Sequence, residues 1–251
     1  MSTVLPDTGL IFHRYLRQTL RSRISVVFGL MQPLLFLAFF GPLLRDMPLG
    51  GEGDSWQILV PGLLIQLGLF SAAFAGFGII MEKQFGVVER MRVTPVSRLA
   101  LLLGRILRDT LQLLVQSCLV VAAGLLLGLR APVLGVLAGF LIVGLLGISL
   151  ASLSYALAMR VTTMQEFAPV INSVNLPMML LSGILLPMAL APTWLNVISH
   201  FVPFRYLVEA VRAAFVGNYG DGTLLLGTGV ALALAAVTLA LGTRLFTRAG
   251  A

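Results

Sequence analysis

Charge is scarce in this sequence: 11% of its 251 residues are Asp, Glu, Lys or Arg, while 58% are hydrophobic. A soluble globular chain is about one-quarter charged. A chain this apolar cannot cover its own surface with polar groups, so an ordinary water-soluble domain is excluded and lipid is the expected solvent. Lysine is nearly missing. Of the 17 basic residues only Lys83 is not arginine, and its setting, Glu82-Lys83-Gln84, is not the glycine-rich, Lys-Ser/Thr loop that cradles nucleotide phosphates. No ATP site is therefore expected in this chain. The two histidines, His13 and His200, lack the H-E-x-x-H spacing of a zinc protease, so no metal site is expected either. The single cysteine, Cys118, sits in an apolar run, which excludes a disulfide scaffold. Ser152, Ser154 and Ser182 have no His and Asp partners that would make a hydrolase. They are read as bonding across helices or to their own backbone.

The net charge of +7 would suggest nucleic acid in a soluble protein. No reading module and no basic groove with interleaved aromatics accompanies it, so no nucleic-acid partner is expected. The arginines instead fall between apolar runs. A hydrocarbon core of about 30 Å needs about 20 apolar residues of helix, and six windows near that length hold no Asp, Glu, Lys or Arg: 24–44, 58–81, 110–129, 133–159, 167–187 and 224–243. They show no strand-like alternation, so helices are preferred over a barrel. The segments before span 1, between spans 2 and 3, between spans 4 and 5, and after span 6 carry 13 of the basic residues, and the opposite side carries 4. Positive residues stay on the cytoplasmic side, so both termini are expected there. The first span is too long for a signal-peptide core and is followed by no small-residue cleavage site. It is read as retained.

Ahead of it, residues 10–21 follow the 3.6-residue period. Phe12, Tyr15, Leu16, Thr19 and Leu20 share one face, and Arg14, Arg17 and Arg21 the other. Such a helix lies along a membrane surface, either as a generic basic anchor or beside a partner. Asp7 or Thr8 could cap it. The segment 188–223 is too long for a turn and is broken by Pro192 and Pro203, with Trp194, Phe201, Phe204 and Tyr206 suited to an interface. It reads as short re-entrant helices near the external mouth. Gln66, Gln112, Gln116, Asn172 and Asn175 lie inside spans, where an unpaired polar group is costly in lipid. They line a substrate path, or they hydrogen-bond between helices with no ligand role.

No Asp, Glu, Lys, Arg or His falls inside the six windows, so the energy for transport would enter from outside the membrane. Residues 82–93 can form about three helical turns at 3.6 residues per turn, stopped by Thr94-Pro95. The segment is either a rigid knob presented to a soluble partner or a solvated loop held by its arginines.

Three stretches then carry a family resemblance. They are Leu59-Val60-Pro61-Gly62-Leu63-Leu64; Glu82-Lys83 through Gly86, Glu89-Arg90, Thr94-Pro95-Val96-Ser97-Arg98 and Leu103-Gly104-Arg105; and Leu181-Ser182-Gly183-Ile184-Leu185-Leu186-Pro187 with Pro192, Trp194-Leu195, Pro203, Tyr206 and Arg212. In order and spacing the chain resembles the ABC-2 type permeases, particularly the daunorubicin-resistance branch of multidrug exporters. The resemblance implies a single all-α membrane domain over 1–251, with six transmembrane helices, an N-terminal interface helix and external re-entrant helices between spans 5 and 6. It implies pairing with a second permease copy or a related permease, and binding to a cytoplasmic ATP-binding cassette ATPase that carries ATP and Mg. Residues 82–98 would be the coupling helix region, with Glu82, Lys83, Gly86, Glu89, Arg90, Arg92, Pro95 and Arg98 facing the ATPase. Arg14, Arg17 and Arg21 would lie on the interface helix, 8–22, and 160–166 would make a second contact. Ser182, Gly183, Pro187, Trp194 and Tyr206 would form an external gate. The expected cargo is a small amphipathic compound or lipid leaving the cytoplasm of a bacterial cell through its plasma membrane. The competing reading is an ion-gradient-driven carrier or channel acting without an ATPase. A membrane-embedded enzyme has no assembled catalytic set to support it.

Overall fold

The computed structural model describes residues 4–21, 23–44, 54–86, 97–184, 187–220 and 222–248. Among them every regular element is helical: α1 (Val4–Arg21), α2 (Arg23–Leu44), α3 (Ser55–Gln84), α4 (Arg98–Leu127), α5 (Val133–Arg160), α6 (Met164–Leu181), a 3-10 turn (Met188–Leu190), α7 (Thr193–Ser199), α8 (Pro203–Val216) and α9 (Thr223–Arg248). Four are long and apolar enough to cross a membrane: Ser55–Gln84, Leu99–Leu127, Val133–Arg160 and Thr223–Leu245. They coincide with the expected second, third, fourth and sixth spans. The expected first span falls on α2, where Met31–Leu43 is a shorter apolar helix. The expected fifth falls on α6, which stops after 18 residues. It ends there because Ser182 and Gly183 turn the chain, with Gly183 at φ 70, a region that costs a side-chain-bearing residue.

The helix ends follow local chemistry. Asp54 and Gln57 form a reciprocal capping box on α3, satisfying donors that a helix start leaves open. Ser97 Oγ accepts from the Ala100 amide at 3.1 Å, so α4 begins about a dozen residues before the expected span. Arg105, Arg108 and Asp109, read from sequence as connection, therefore ride on a helix continuous with a span. The α1 helix starts at Val4, upstream of the expected cap: Thr8 Oγ instead donates to the Val4 carbonyl at 2.7 Å.

The central helix is α3, packed against α2, α4, α5, α6 and α8, while α5 carries α9 on its other side. Two apolar clusters result. The larger joins Leu59, Leu63, Leu64, Leu146, Val208, Val211 and Phe215 toward the start of α3. The smaller joins Ile11 and Tyr15 of α1 to Ile79, Ile80, Leu102, Ile106, Tyr155 and Phe167 toward its end. The bundle thus has an α8 end and an α1 end. Its outside stays apolar, with Leu126 89% exposed and Leu225 76% exposed, the surface expected where lipid replaces water. Cys118 is on that exposed side.

Close approach decides how α1 docks. A methyl group on Gly104 of α4 would sit 2.6 Å from the Ile11 side chain and 3.1 Å from the Phe12 amide nitrogen. With glycine there, α1 lies on α4 by its apolar face: Ile11, Tyr15 and Thr19 are buried, whereas Arg14 and Arg17 are exposed. This is the division of faces that the period predicts.

Candidate functional site

At the α1 end four helices are tied by charged and polar groups. Glu82, in the last turn of α3, is ion-paired with Arg105 of α4 and accepts a hydrogen bond from the Tyr15 phenol of α1 at 3.1 Å. The Arg105 guanidinium also lies over the Tyr15 ring, 4.9 Å from its centre, a favourable cation-π placement. Burial, opposed by Arg105 and reinforced by Glu82, pushes the Tyr15 hydroxyl up to about 12, so it remains a donor. One residue on, Lys83 donates from Nζ to the carbonyls of Ala158 at 2.8 Å, Met159 at 3.0 Å and Val161 at 3.3 Å. These belong to the last turn of α5 and its cap, where helix carbonyls lack partners and a cation is favoured. Arg108 donates from Nε to Thr19 of α1 at 2.6 Å and pairs with Asp109. Asp109 in turn accepts from the Tyr155 hydroxyl of α5.

Above this network lies a cavity of about 800 Å³, walled by α1, α2, α3, α4 and α5. Its lining runs from Arg14, Glu82 and Arg105 to Gln66 and Gln116. Gln66 precedes Glu82 by sixteen residues, about 24 Å along α3 at 1.5 Å per residue. The cavity therefore runs along about half of the 30-residue α3.

The α8 end is closed roughly one helical turn beyond Gln66. There Gly62 of α3 lets the chain after α6 come into contact, because a methyl group at 62 would stand 1.9 Å from the Ile184 carbonyl oxygen. Arg212 of α8 holds the same point. It donates from Nη2 to the Gly183 carbonyl at 2.9 Å and the Ile184 carbonyl at 3.0 Å, and from Nε to the Ile58 carbonyl at 3.1 Å. Carbonyls turned out of helical order at the end of α6 thus gain a charged donor, among the stronger hydrogen bonds available. Three stretches far apart in sequence, 58–62, 183–184 and 212, form one closure. Beside it Arg205 fixes α7 to α8, donating to Asn196 Oδ1 at 2.6 Å and to Glu209 at 2.8 Å.

The expected residues distribute as follows. Gln66, Gln112 and Gln116 meet in the cavity. Asn175 does not; its amide donates to the Leu69 carbonyl of α3 at 3.1 Å, an interhelical bond. Asn172 is exposed on α6. Ser182 donates to the Met179 carbonyl at 3.0 Å and Gly183 joins the closure. Pro187 leads into the 3-10 turn, Trp194 is 65% exposed, and Tyr206 donates to the His200 carbonyl at 2.9 Å. Glu82 and Lys83 are engaged inside the chain rather than displayed, and Gly86 turns the chain after α3 at φ 66. Arg98 is the first residue of α4 and Arg21 the last of α1. Glu89, Arg90, Arg92 and Pro95 lie outside the described residues. Sequence reasoning missed Arg105, Asp109 and Tyr155 as a buried network. The one available signal was a charged triplet, Arg105, Arg108 and Asp109, at i, i+3 and i+4, one helix face directly abutting an apolar window.

A cavity inside a bundle of apolar helices, with a tight packing point beyond one end and a basic amphipathic helix at the other, fits a membrane permease. The family model described as ABC-2 type transporter matches residues 7–216. The chain belongs to the ABC-2 type transporter family. It is accordingly a multi-pass membrane protein of the permease kind. Among ABC-2 relatives, the ycf38 protein of Cyanophora paradoxa, provisionally assigned as a transport permease, is 28% identical over 83% of this chain and 73% of its own. The daunorubicin resistance ABC transporter permease protein DrrB1 of Streptomyces coeruleorubidus is 27% identical over 86% of this chain and 77% of its own. DrrC of Mycobacterium tuberculosis, provisionally assigned as a doxorubicin resistance ABC transporter permease, is 25% identical over 95% of this chain and 88% of its own.

Proposed function

We propose that this chain is the membrane-spanning subunit of an ATP-binding cassette exporter, moving a small amphipathic compound or lipid out of the cytoplasm. A second permease pairs with it, and a separate cytoplasmic ATPase that binds ATP and Mg drives it. In this reading α2 and α6 complete six spans, both termini face the cytoplasm across the plasma membrane, and the segment 188–223 enters the outer leaflet. The observation that carries it is the geometry of α3. One continuous helix bears the closure at Gly62, the cavity wall at Gln66, and the Glu82 and Lys83 contacts immediately before the segment 87–96. A push on that segment would act on α1, α4 and α5 together through Glu82, Arg105 and Lys83. The ATPase shifts the equilibrium between inward-open and outward-open states only insofar as it contacts the two differently. Family membership, and the two ABC transporter permeases among the relatives named for daunorubicin and doxorubicin resistance, support the same reading.

The test is reconstitution of the chain with its cognate cassette protein. The expected results are copurification, ATP-dependent cargo movement, and loss of that movement in Glu89→Arg and Arg90→Glu with the membrane fold retained. Absence of any associating cassette protein, or unchanged transport in both reversals, sinks it. A second reading, a gradient-driven carrier, draws on Asp109, a buried carboxylate that lines the cavity and is of the kind that relays protons in pumps. Cargo movement by the chain alone, driven by a pH gradient and lost in Asp109→Asn, would favour that reading.

A further inference from the structure

Of the eight glutamines in the chain, five line this same cavity: Gln18, Gln32, Gln66, Gln112 and Gln116. They come from four different helices. Gln18 and Gln32 are exposed at its mouth, while Gln66 and Gln116 are 4% and 5% exposed. The carbonyl oxygen of Gln66 is buried without a hydrogen-bond partner, and no hydrogen bond ties any of the five to another described residue. Buried polar groups in folded proteins are almost always satisfied. Carboxamides that line one volume and are bonded by none of the described residues are available to a ligand.

The charges on the same wall narrow the ligand. Glu82 is paired with Arg105 and Asp109 with Arg108. Arg14 remains, at the mouth, with its guanidinium 5.9 Å from the Tyr15 ring centre. Among the described residues a cationic head finds no carboxylate free of an arginine, and a phosphate finds guanidinium groups paired with carboxylates or at the rim, with only the buried Nε of Arg105 left without a partner. A carboxamide both donates and accepts, and so does a hydroxyl; the two satisfy each other without bringing charge into a low-dielectric interior, where burying an ion is far costlier than burying a hydrogen-bonded neutral group. Leu67, Phe70 and Ile79 on the same wall take an apolar tail. The volume, about 800 Å³, falls among sites for drug-sized ligands, about 300 to 1,000 Å³.

We propose that this cavity binds amphipathic molecules by an uncharged, hydroxyl-rich head, a glycoside being the type, with the head held by Gln66, Gln112 and Gln116. The proposal deepens the exporter reading and rests on it for its role in transport; binding itself requires only this chain. The experiment uses the full chain in phosphatidylcholine nanodiscs and three fluorescent probes sharing one octyl tail. Their heads are glucose, trimethylammonium and phosphate, and anisotropy is corrected with empty discs. The glucoside is expected to bind saturably and about tenfold tighter than either charged probe, the discrimination of one well-made hydrogen bond or two. Gln66→Met and Gln116→Met, close in shape and without the amide, should each weaken glucoside binding about tenfold and leave the charged probes unchanged. Gln112→Leu, at a half-buried position, repeats the test should either of those fail to fold. Equal or tighter binding of a charged probe, or glucoside binding indifferent to all three substitutions, overturns the proposal. The two readings fail separately. Saturable glucoside binding with no ATP-driven transport by the chain and its cassette partner overturns the exporter alone. ATP-driven transport indifferent to the three substitutions overturns the glycoside site alone.

Discussion

Replacing Gly62 by alanine should loosen the closure at the α8 end. The added methyl carbon would lie 1.9 Å from the Ile184 carbonyl oxygen and 2.9 Å from its carbonyl carbon. Both are main-chain atoms, which no rotamer change can move aside. Reaching an ordinary contact of about 3.4 Å requires α3 and the 183–184 turn to separate by about 1.5 Å. Arg212 of α8 bridges the two, bonding Ile58 of α3 as well as the turn, so with α8 held on α3 its bonds to Gly183 and Ile184, now 2.9 and 3.0 Å, would exceed hydrogen-bond length. A hydrogen bond to a charged group contributes about 1.5–3 kcal/mol. Losing two, less partial re-pairing and less the helix gain of about 0.5–1 kcal/mol for alanine over glycine, leaves a loss of about 2–4 kcal/mol. The matched control is Gly78→Ala on the same helix, where nothing lies within 4 Å of the added atom. It should be neutral or stabilising by up to about 1 kcal/mol. Both are read by reversible unfolding in mixed micelles, and a cysteine at 184 should gain thiol reactivity in the Gly62→Ala background only. Equal stability of Gly62→Ala and wild type would refute the reasoning, because the close approach would not be a real constraint.

Breaking the Glu82 and Arg105 pair from one side should cost more than removing both partners. Arg105→Met alone leaves a half-buried carboxylate facing the Tyr15 hydroxyl, a loss of about 3–5 kcal/mol, and adding Glu82→Leu should recover part of it in a double-mutant cycle. Lys83→Ala should expose the end of α5, seen as faster amide exchange at 158–161 with little change elsewhere. The Tyr15 phenol is held up to about 12 against an ordinary 10. Its contribution to folding is complete below pH 10 and is lost as pH rises from there through about 12, since the unfolded chain gives up that proton first. Ultraviolet titration should show Tyr15→Phe removing a late-ionising phenol. Labelling of single cysteines at positions 13 and 219, with Cys118 replaced by alanine, should occur from opposite faces of the membrane; labelling from one face would overturn the six-span arrangement.

Several features were legible because they are local. The four long spans followed from apolar runs and helix length, and the docking face of α1 followed from its period, since one side of that helix meets water or headgroups and the other meets protein. The serines also behaved as their setting predicts: Ser152 and Ser182 bond their own helix or its end, and Ser154 accepts the Gly76 amide of a neighbouring helix at 3.0 Å. The start of α4 was misplaced because charge was used to bound the span. Arg105 and Asp109 instead continue the helix, their charges met by Glu82, Tyr155 and Arg108 rather than by water. The end of α6 was placed too late because Ile184, Leu185 and Leu186 extend the apolar run beyond the residue at which Gly183 turns the chain.

By itself the sequence determined that this protein lives in lipid, that it is helical, and where four of its long apolar helices lie. Each of these depends on the transfer of a contiguous segment between water and hydrocarbon. Tertiary structure alone decided which faces of those spans meet. Lipid tails are as apolar as leucine, so a helix such as α3 carries almost no difference between its lipid side and its protein side, and periodicity is silent. Only the packed bundle brings five carboxamides from four helices to one cavity, sets Glu82 between Tyr15 and Arg105, and joins Gly62, Ile184 and Arg212 into a single closure.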